Sequence, residues 1–337
     1  MKGHSSPDLA GQGMNNQPID PIYLPFSTEQ LRGHFAPTAT RSADEQATRH
    51  LGYYLASAER YHSFQADHLD RRGLSLFKSR TPCQIEKDER FRVVTCLMSY
   101  YHSADRTEHL NALMRLCFGD TPPLAGIASW DECLDGKLHL FFEVSLPSPP
   151  GYKRWLAEHL DQRQIIRYIL DAGRRRGTDE VRGGLEGATH VDAMLLSADN
   201  GFGVLFEAKA LSDVSHLVSF DTMRNQIARN IDVILERNDN LHEPLSLRQP
   251  QRTLFALLTP QIFYQHPHSR LYGWLMNEYR NSPTALARDI PHRQSVDWSD
   301  VARRLGWLTW EDCEQVLPGS CPWLTRNPSH IPGNQRE

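Results

Sequence analysis

The chain has 337 residues, 39% of them hydrophobic and 23% charged, with a formal net charge of −4. That balance describes a globular protein, and it excludes a surface coated in basic charge for indiscriminate nucleic-acid binding, though not a local basic groove. No apolar run approaches the length of a membrane span and no apolar signal core opens the sequence, so a cytoplasmic protein with no membrane partner is expected.

In chain order, residues 1–25 are polar and rich in Gly, Pro and Asn, which predicts a disordered tail. Residues 26–145 form a mainly helical region. Within it, residues 43–118 carry Leu51, Tyr54, Leu55 and Tyr61, then Leu110, Leu113, Met114 and Leu116, at helical spacings. Residues 137–147, KLHLFFEVSLP, alternate and are aromatic enough for a strand. A long amphipathic helix is predicted over 152–172, with Trp155, His159, Gln162, Ile166 and Ile169 on one face and Gly173 as its cap. Arg174, Arg175 and Arg176 follow at once.

Residues 191–209, VDAMLLSADNGFGVLFEAK, read as a strand hairpin around the turn formers Asp199, Asn200 and Gly201. A second amphipathic helix is predicted over 215–238, with Met223, Ile227, Ile231 and Ile234 on its stripe. RTLFALLTP, 252–260, reads as a strand buried on both faces. The C-terminal region, 266–325, is expected to be helical, with Asp297 and Thr309 as N-caps, and 326–337 to be a tail. The six cysteines form no CxxC pair, so free thiols are expected.

The hairpin carries the chemistry. Side chains alternate along a strand, so Asp192, Met194 and Leu196 share a face, as do Leu205, Glu207 and Lys209. An even-numbered loop sets Asp192 opposite Glu207; an odd one turns Asp192 to the other face. Two close carboxylates repel unless a cation sits between them, and converging acid oxygens are what Mg²⁺ takes from a protein. A lysine beside them can hold an attacking water or neutralise charge on phosphorus. The alternative is a surface hairpin with a cross-strand Glu–Lys pair, against which VLFEAK is apolar right up to the acid.

Asp192, a turn, then Glu207-Ala208-Lys209 resembles the signature of the PD-(D/E)XK nuclease superfamily, the fold of many restriction endonucleases, recombination nucleases and Holliday-junction resolvases. Gln226 and Asn230, one turn apart in the following helix, are similar to that family's Q-x-x-x-N variant, and TLFALL supplies the later strand. The resemblance covers roughly residues 150–262, about a third of the chain. The signature's Pro is here Val191, and a first core strand directly before Asp192 is missing, because EVRGGLEGAT is Gly-rich.

The resemblance implies an α/β protein with a restriction-endonuclease-like mixed-sheet core over 146–265 between helical flanks. It implies a Mg²⁺- or Mn²⁺-dependent endonuclease, a hydrolase of phosphodiester bonds acting on nucleic acid, with DNA the expected partner and a homodimer compatible. The implied catalytic set is Asp192, Glu207, Lys209 and Gln226. The implied metal set is Asp192, Glu207, the carbonyl of Ala208, and Glu186 as a further ligand or water-mediated contact; a solvated loop carboxylate is the alternative for Glu186. Arg174 to Arg176 and His190 are the candidate phosphate contacts. A solvated charge cluster is the alternative for the arginines, and a strand-end hydrogen bond for His190. The other functional class is a non-catalytic nucleic-acid-binding or scaffold protein that keeps the nuclease fold.

Overall fold

The computed structural model describes residues 17–38, 40–67, 85, 87–177, 184–214 and 220–325. The tail expected over 326–337, most of the one expected over 1–25, and Cys83 lie outside the described residues. Residues 17–25 do not behave as a tail. Strands β1 (Pro18–Asp20) and β2 (Leu24–Ser27) pair antiparallel, and Tyr23, Leu24 and Phe26 are buried.

Among the helices that follow, the three long ones, α1 (Ala43–Asp67), α2 (Glu89–Tyr101) and α3 (Arg106–Phe118), match the helical periodicity of that region. A five-stranded mixed sheet forms the centre, in the order β3 (Leu138–Leu146), β4 (Thr189–Ser197), β5 (Gly203–Ala208), β6 (Thr253–Thr259), β7 (Leu305–Thr309). β3, β4 and β5 are antiparallel neighbours, whereas β5–β6 and β6–β7 are parallel. The chain is therefore a mixed α/β protein whose sheet draws strands from 138 to 309, wider than the expected 146–265.

The rest of the helices differ from the sequence expectation in instructive ways. The helix expected over 152–172 is broken into α4 (Pro150–Glu158), a short turn, and α5 (Arg167–Gly177). Gly173 does not end α5; it lies inside it, where an added Cβ would come 3.0 Å from Phe220 and 3.2 Å from Leu160. The next helix, α6 (Gln226–Ile234), starts later than expected, where the Asn225 side chain accepts from the Ala228 N–H. Met223 is accordingly outside it and exposed. After α7 (Leu271–Asn281), the segment expected as one helix over 297–307 divides into α8 (Trp298–Arg303) and strand β7, before α9 (Trp310–Val316). Asp297 and Thr309 are N-caps as expected.

Both faces of the sheet are covered. On one side Leu140, Phe142, Leu195, Val204, Phe206, Leu254 and Leu258 pack with Phe91, Val94 and Met98 of α2, Leu113 of α3 and Trp310 of α9. On the other, Met194, Leu196, Leu205, Phe255 and Leu257 pack with Ile227, Ile231 and Ile234 of α6 and Tyr272 and Met276 of α7. Double coverage explains why β6 reads as a continuous apolar run. Among the described residues no helix is long and apolar enough to cross a membrane, and Cys96, Cys117, Cys133, Cys313 and Cys321 are free and buried.

Candidate active site

The β4–β5 turn fixes the register on which the site depends. The Ser197 N–H donates to the Phe202 carbonyl at 2.9 Å, leaving the four-residue loop 198–201. Gly201 takes φ +73°, a left-handed conformation that favours glycine. The loop is even-numbered. Ala193 pairs with Phe206 and Met194 with Leu205, so the next position sets Asp192 against Glu207. Both follow the alternation of Met194 and Leu205, toward α6.

Glu207 is 1% exposed, and its carboxylate is held by three donors. Lys209 Nζ donates to Oε1 at 2.7 Å and Gln226 Nε2 to the same atom at 2.6 Å. Asn230 Nδ2 donates to Oε2 at 2.9 Å. Gln226 and Asn230 lie one turn apart at the start of α6, so one helix face aims both amides at one acid. Asp192 accepts the Ala208 N–H on Oδ2 at 2.7 Å, which ties the two strands together at the site. Lys209 is 6% exposed.

The charges are in tension. Burial, then the charge of Glu207, pushes the Asp192 carboxyl well above the usual carboxylate range. Burial also raises Glu207, against the opposing pull of Lys209 and of the Lys209 and Asn230 hydrogen bonds. For Lys209 burial acts downward, but Glu207 and Asp192 outweigh it and the ammonium is held above its ordinary value. A lysine in this setting stays charged at neutral pH.

A third acid, Glu143, joins the pair from β3. The β3–β4 ladder pairs Phe142 with Ala193 and Val144 with Val191, so Glu143 and Asp192 fall opposite each other between them. Glu143 takes φ +52°, the one described non-glycine residue in the left-handed region. The facing of β3 changes there: Leu140 and Phe142 belong to the α2 side, Val144 and Leu146 to the α6 side. Burial, the largest cause, raises the Glu143 carboxyl, and Arg90 at 3.1 Å opposes that rise. The signal for Glu143 was present in the sequence, an acid interrupting LFFEVSL as Glu207 interrupts VLFEAK. Glu89, at the start of α2, accepts the Ala210 N–H at 2.8 Å just beyond Lys209.

Glu186 does not join this cluster. Arg224 Nε and Nη2 donate to its two oxygens at 2.8 and 3.1 Å, Arg229 Nε lies 3.1 Å away, and the Ser148 hydroxyl also donates to it. A carboxylate neutralised by two guanidinium groups has no need of a metal ion. It belongs to a buried network through Arg224 to Asp232, which Arg293 and His292 also reach.

Two members of the arginine cluster have local partners. Arg174 pairs with Asp161 and Asp171, and Arg176 lies over the Phe220 ring at 5.3 Å. The concave basic surface next to the acids is built by other residues: Arg41, Arg49, Arg90 and Lys153, with His190 at its edge. Trp310 and Trp307 are buried in the core.

Among the described residues no group of three or more His, Cys, Asp or Glu forms a ready-made metal cage. The donor set is two carboxylates facing each other, with Asn230 Oδ1 a buried acceptor that has no partner. Comparison of the chain with protein-family models, with curated proteins and with solved structures found no match.

Proposed function

We propose that the protein is a metal-dependent nuclease of the PD-(D/E)XK kind, with a restriction-endonuclease-like core, hydrolysing phosphodiester bonds in DNA. The carrying observation is the opposition of Asp192 and Glu207 on adjacent strands, with Lys209 on Glu207 and the amides of Gln226 and Asn230 behind it. The order of Asp strand, E-x-K strand, Gln-bearing helix and later strand agrees with that family.

The residues fit Mg²⁺ or Mn²⁺. Mg²⁺ is held by one or two carboxylates plus waters and substrate phosphate, so a cage of three protein ligands is not required. Asp192, Glu207 and the carbonyl of Ala208 would hold it. When bound it supplies Lewis-acid stabilisation of the phosphoryl oxygens and a more acidic water. Burial first, and then the facing Glu207, disfavour the ionised Asp192 carboxylate, and a cation between the two acids would offset both.

The chain's own groups do the rest. Lys209 Nζ, fixed by Glu207, orients a water toward phosphorus and balances charge on the phosphoryl oxygens. A bond from the water oxygen to phosphorus forms as the bond to the leaving sugar oxygen breaks; the water's proton passes to solvent, and the leaving oxygen takes up a proton from solvent to become a hydroxyl. Gln226 and Asn230 keep the Glu207 carboxylate from rotating.

The test is incubation of supercoiled, linear and single-stranded DNA with the purified chain, with and without Mg²⁺ or Mn²⁺. Metal-dependent cleavage is expected. Tight DNA binding without turnover under every condition would instead assign a non-catalytic nucleic-acid-binding or scaffold role.

A further inference from the structure

Beside the acids lies a cavity of about 780 Å³. Its walls come from separate parts of the chain. Arg41 precedes α1, Arg49 lies on α1, Arg90 on α2, Lys153 on α4 and His190 on β4. Glu143 lies in the wall and also opposite Asp192 on the neighbouring strand, so one acid borders both the cavity and the proposed centre.

The charge of this cavity is unbalanced. Among the described residues two acids border it. Glu143 is matched to Arg90. Glu186 is matched to Arg224 and Arg229. Arg41, Arg49 and Lys153 make no ion pair among the described residues. Cations converge on one concavity at an electrostatic cost unless an anion completes the set. The field is felt nearby: burial first, and then Arg49 and Arg90, hold the His50 imidazole down at about 4. The hydroxyls of Thr38, Thr40 and Ser145 at the same walls add neutral donors.

We propose that this cavity takes a terminal phosphomonoester of the substrate strand, so that the chain reads nucleic-acid ends. The inference rests on the nuclease reading and names which part of the substrate that site receives. A terminal phosphate carries close to two negative charges, against one for each internal phosphate, and offers three acceptor oxygens. Three unpaired cations suit that dianion better than a backbone diester. The volume is that of a pocket for a small ligand, a size that suits a strand end. Arg90 is shared: it pairs with Glu143 here and is within the same cavity wall, so a phosphate arriving there competes for the guanidinium.

The test is independent of cleavage. Single-stranded oligonucleotides of one sequence, bearing a 5′-phosphate, a 3′-phosphate or hydroxyls at both ends, would be titrated with the full chain in EDTA, with fluorescence anisotropy as the readout. One phosphorylated end should bind about tenfold or more tightly than the hydroxyl form, since charge-assisted hydrogen bonds to phosphate are the strong ones. Arg49→Ala and Arg41→Ala, both at exposed positions, should each erase most of that preference while leaving the hydroxyl form's affinity nearly unchanged. Equal affinity for all three ends in the wild type overturns the proposal. So does a loss that is uniform across the three ends in the variants, which would make the cavity a track for internal phosphates. End preference without cleavage in any metal would keep this inference and sink the nuclease reading; cleavage without end preference does the reverse.

Discussion

Asp192 and Glu207 are two acids that a folded chain gains nothing by placing together. In the absence of metal their proximity raises the Asp192 carboxyl, with burial as the larger cause and Glu207 the next. A carboxyl raised on folding lowers stability as it ionises. Stability therefore falls as pH climbs from the ordinary carboxylate range to the raised value, and the loss persists above it. Asp192→Asn removes that charge. Without metal at neutral pH the variant should melt higher than wild type, by about 2–4 °C for each kcal/mol of repulsion relieved. Its advantage should vanish below the ordinary carboxylate range, where both forms are neutral. Saturating Mg²⁺ should raise the melting temperature of the wild type and leave the variant unmoved. Scanning calorimetry of both proteins, with and without Mg²⁺, checks all three statements; earlier melting of the variant with no metal response in either would reduce the pair to ordinary cross-strand neighbours. Lys209→Ala is a different experiment at the same place. It removes one of three donors to Glu207 but keeps both acids, so DNA binding measured by anisotropy should persist while cleavage drops by roughly a hundredfold or more. Retained cleavage would remove Lys209 from the chemistry.

Single side chains act here through the elements that aim them, and β3 shows this most clearly. Glu143 holds φ +52°, which for a non-glycine residue costs about 1–3 kcal/mol, and the strand changes its facing there. Its ion pair with Arg90 is partly exposed and returns only about 0–1 kcal/mol. Glu143→Gly relieves the backbone and Glu143→Ala does not, although both delete the carboxylate. The Gly variant should therefore be the more stable of the two by about 1 kcal/mol in urea unfolding. An Ala variant at least as stable as the Gly variant would show that the backbone there is unstrained. The same strand marks what was legible in the sequence. The hairpin and the double burial of β6 followed from alternation and turn chemistry, whereas the choice between an even and an odd loop was settled only by the Ser197–Phe202 hydrogen bond. The kink at Glu143 did not follow either, because nothing local to LFFEVSL calls for a positive φ. β7 was missed for a related reason: LGWLT is five residues long, and a short apolar run has no period of its own. Its Gly306 carries the clue only in three dimensions, where a Cβ would meet Cys117 Sγ at 2.3 Å and Phe118 at 2.5 Å. The break between α4 and α5 was equally hidden, since Ile165 and Tyr168 sit at helical spacing yet are 89% and 74% exposed.

At the scale of the molecule, the partners of the sheet decide what counts as the core. The core expected from the sequence occupies 146–265, but the sheet's outer strands, β3 and β7, lie almost wholly beyond those limits, at Leu138–Leu146 and Leu305–Thr309. One sheet face is covered by α2 and α3, and the other by α6 and α7, so helices from both flanks are part of the same hydrophobic cores. The N-terminal region, which the sequence left without a role, also supplies Arg49 and Arg90 to the cavity and Glu89 to the backbone just after Lys209. A fragment limited to 146–265 would keep β4, β5 and β6 but expose the outer edges of β4 and β6, whose ladders are filled by β3 and β7 in the whole chain. It would also bare Leu195, Phe206, Leu254 and Leu258, which α2 and α3 cover. Burying these side chains is worth about 1.5–3 kcal/mol each, and the stability of a domain is typically about 5–15 kcal/mol, so the loss is as large as the whole stability of a domain. The fragment should show no cooperative urea transition by circular dichroism and should aggregate, while the full chain unfolds in a transition shared by tryptophan fluorescence and far-ultraviolet signals. A fragment that unfolds cooperatively and binds DNA would mean that the site is carried by a domain smaller than its sheet, with the flanking helices as additions to it.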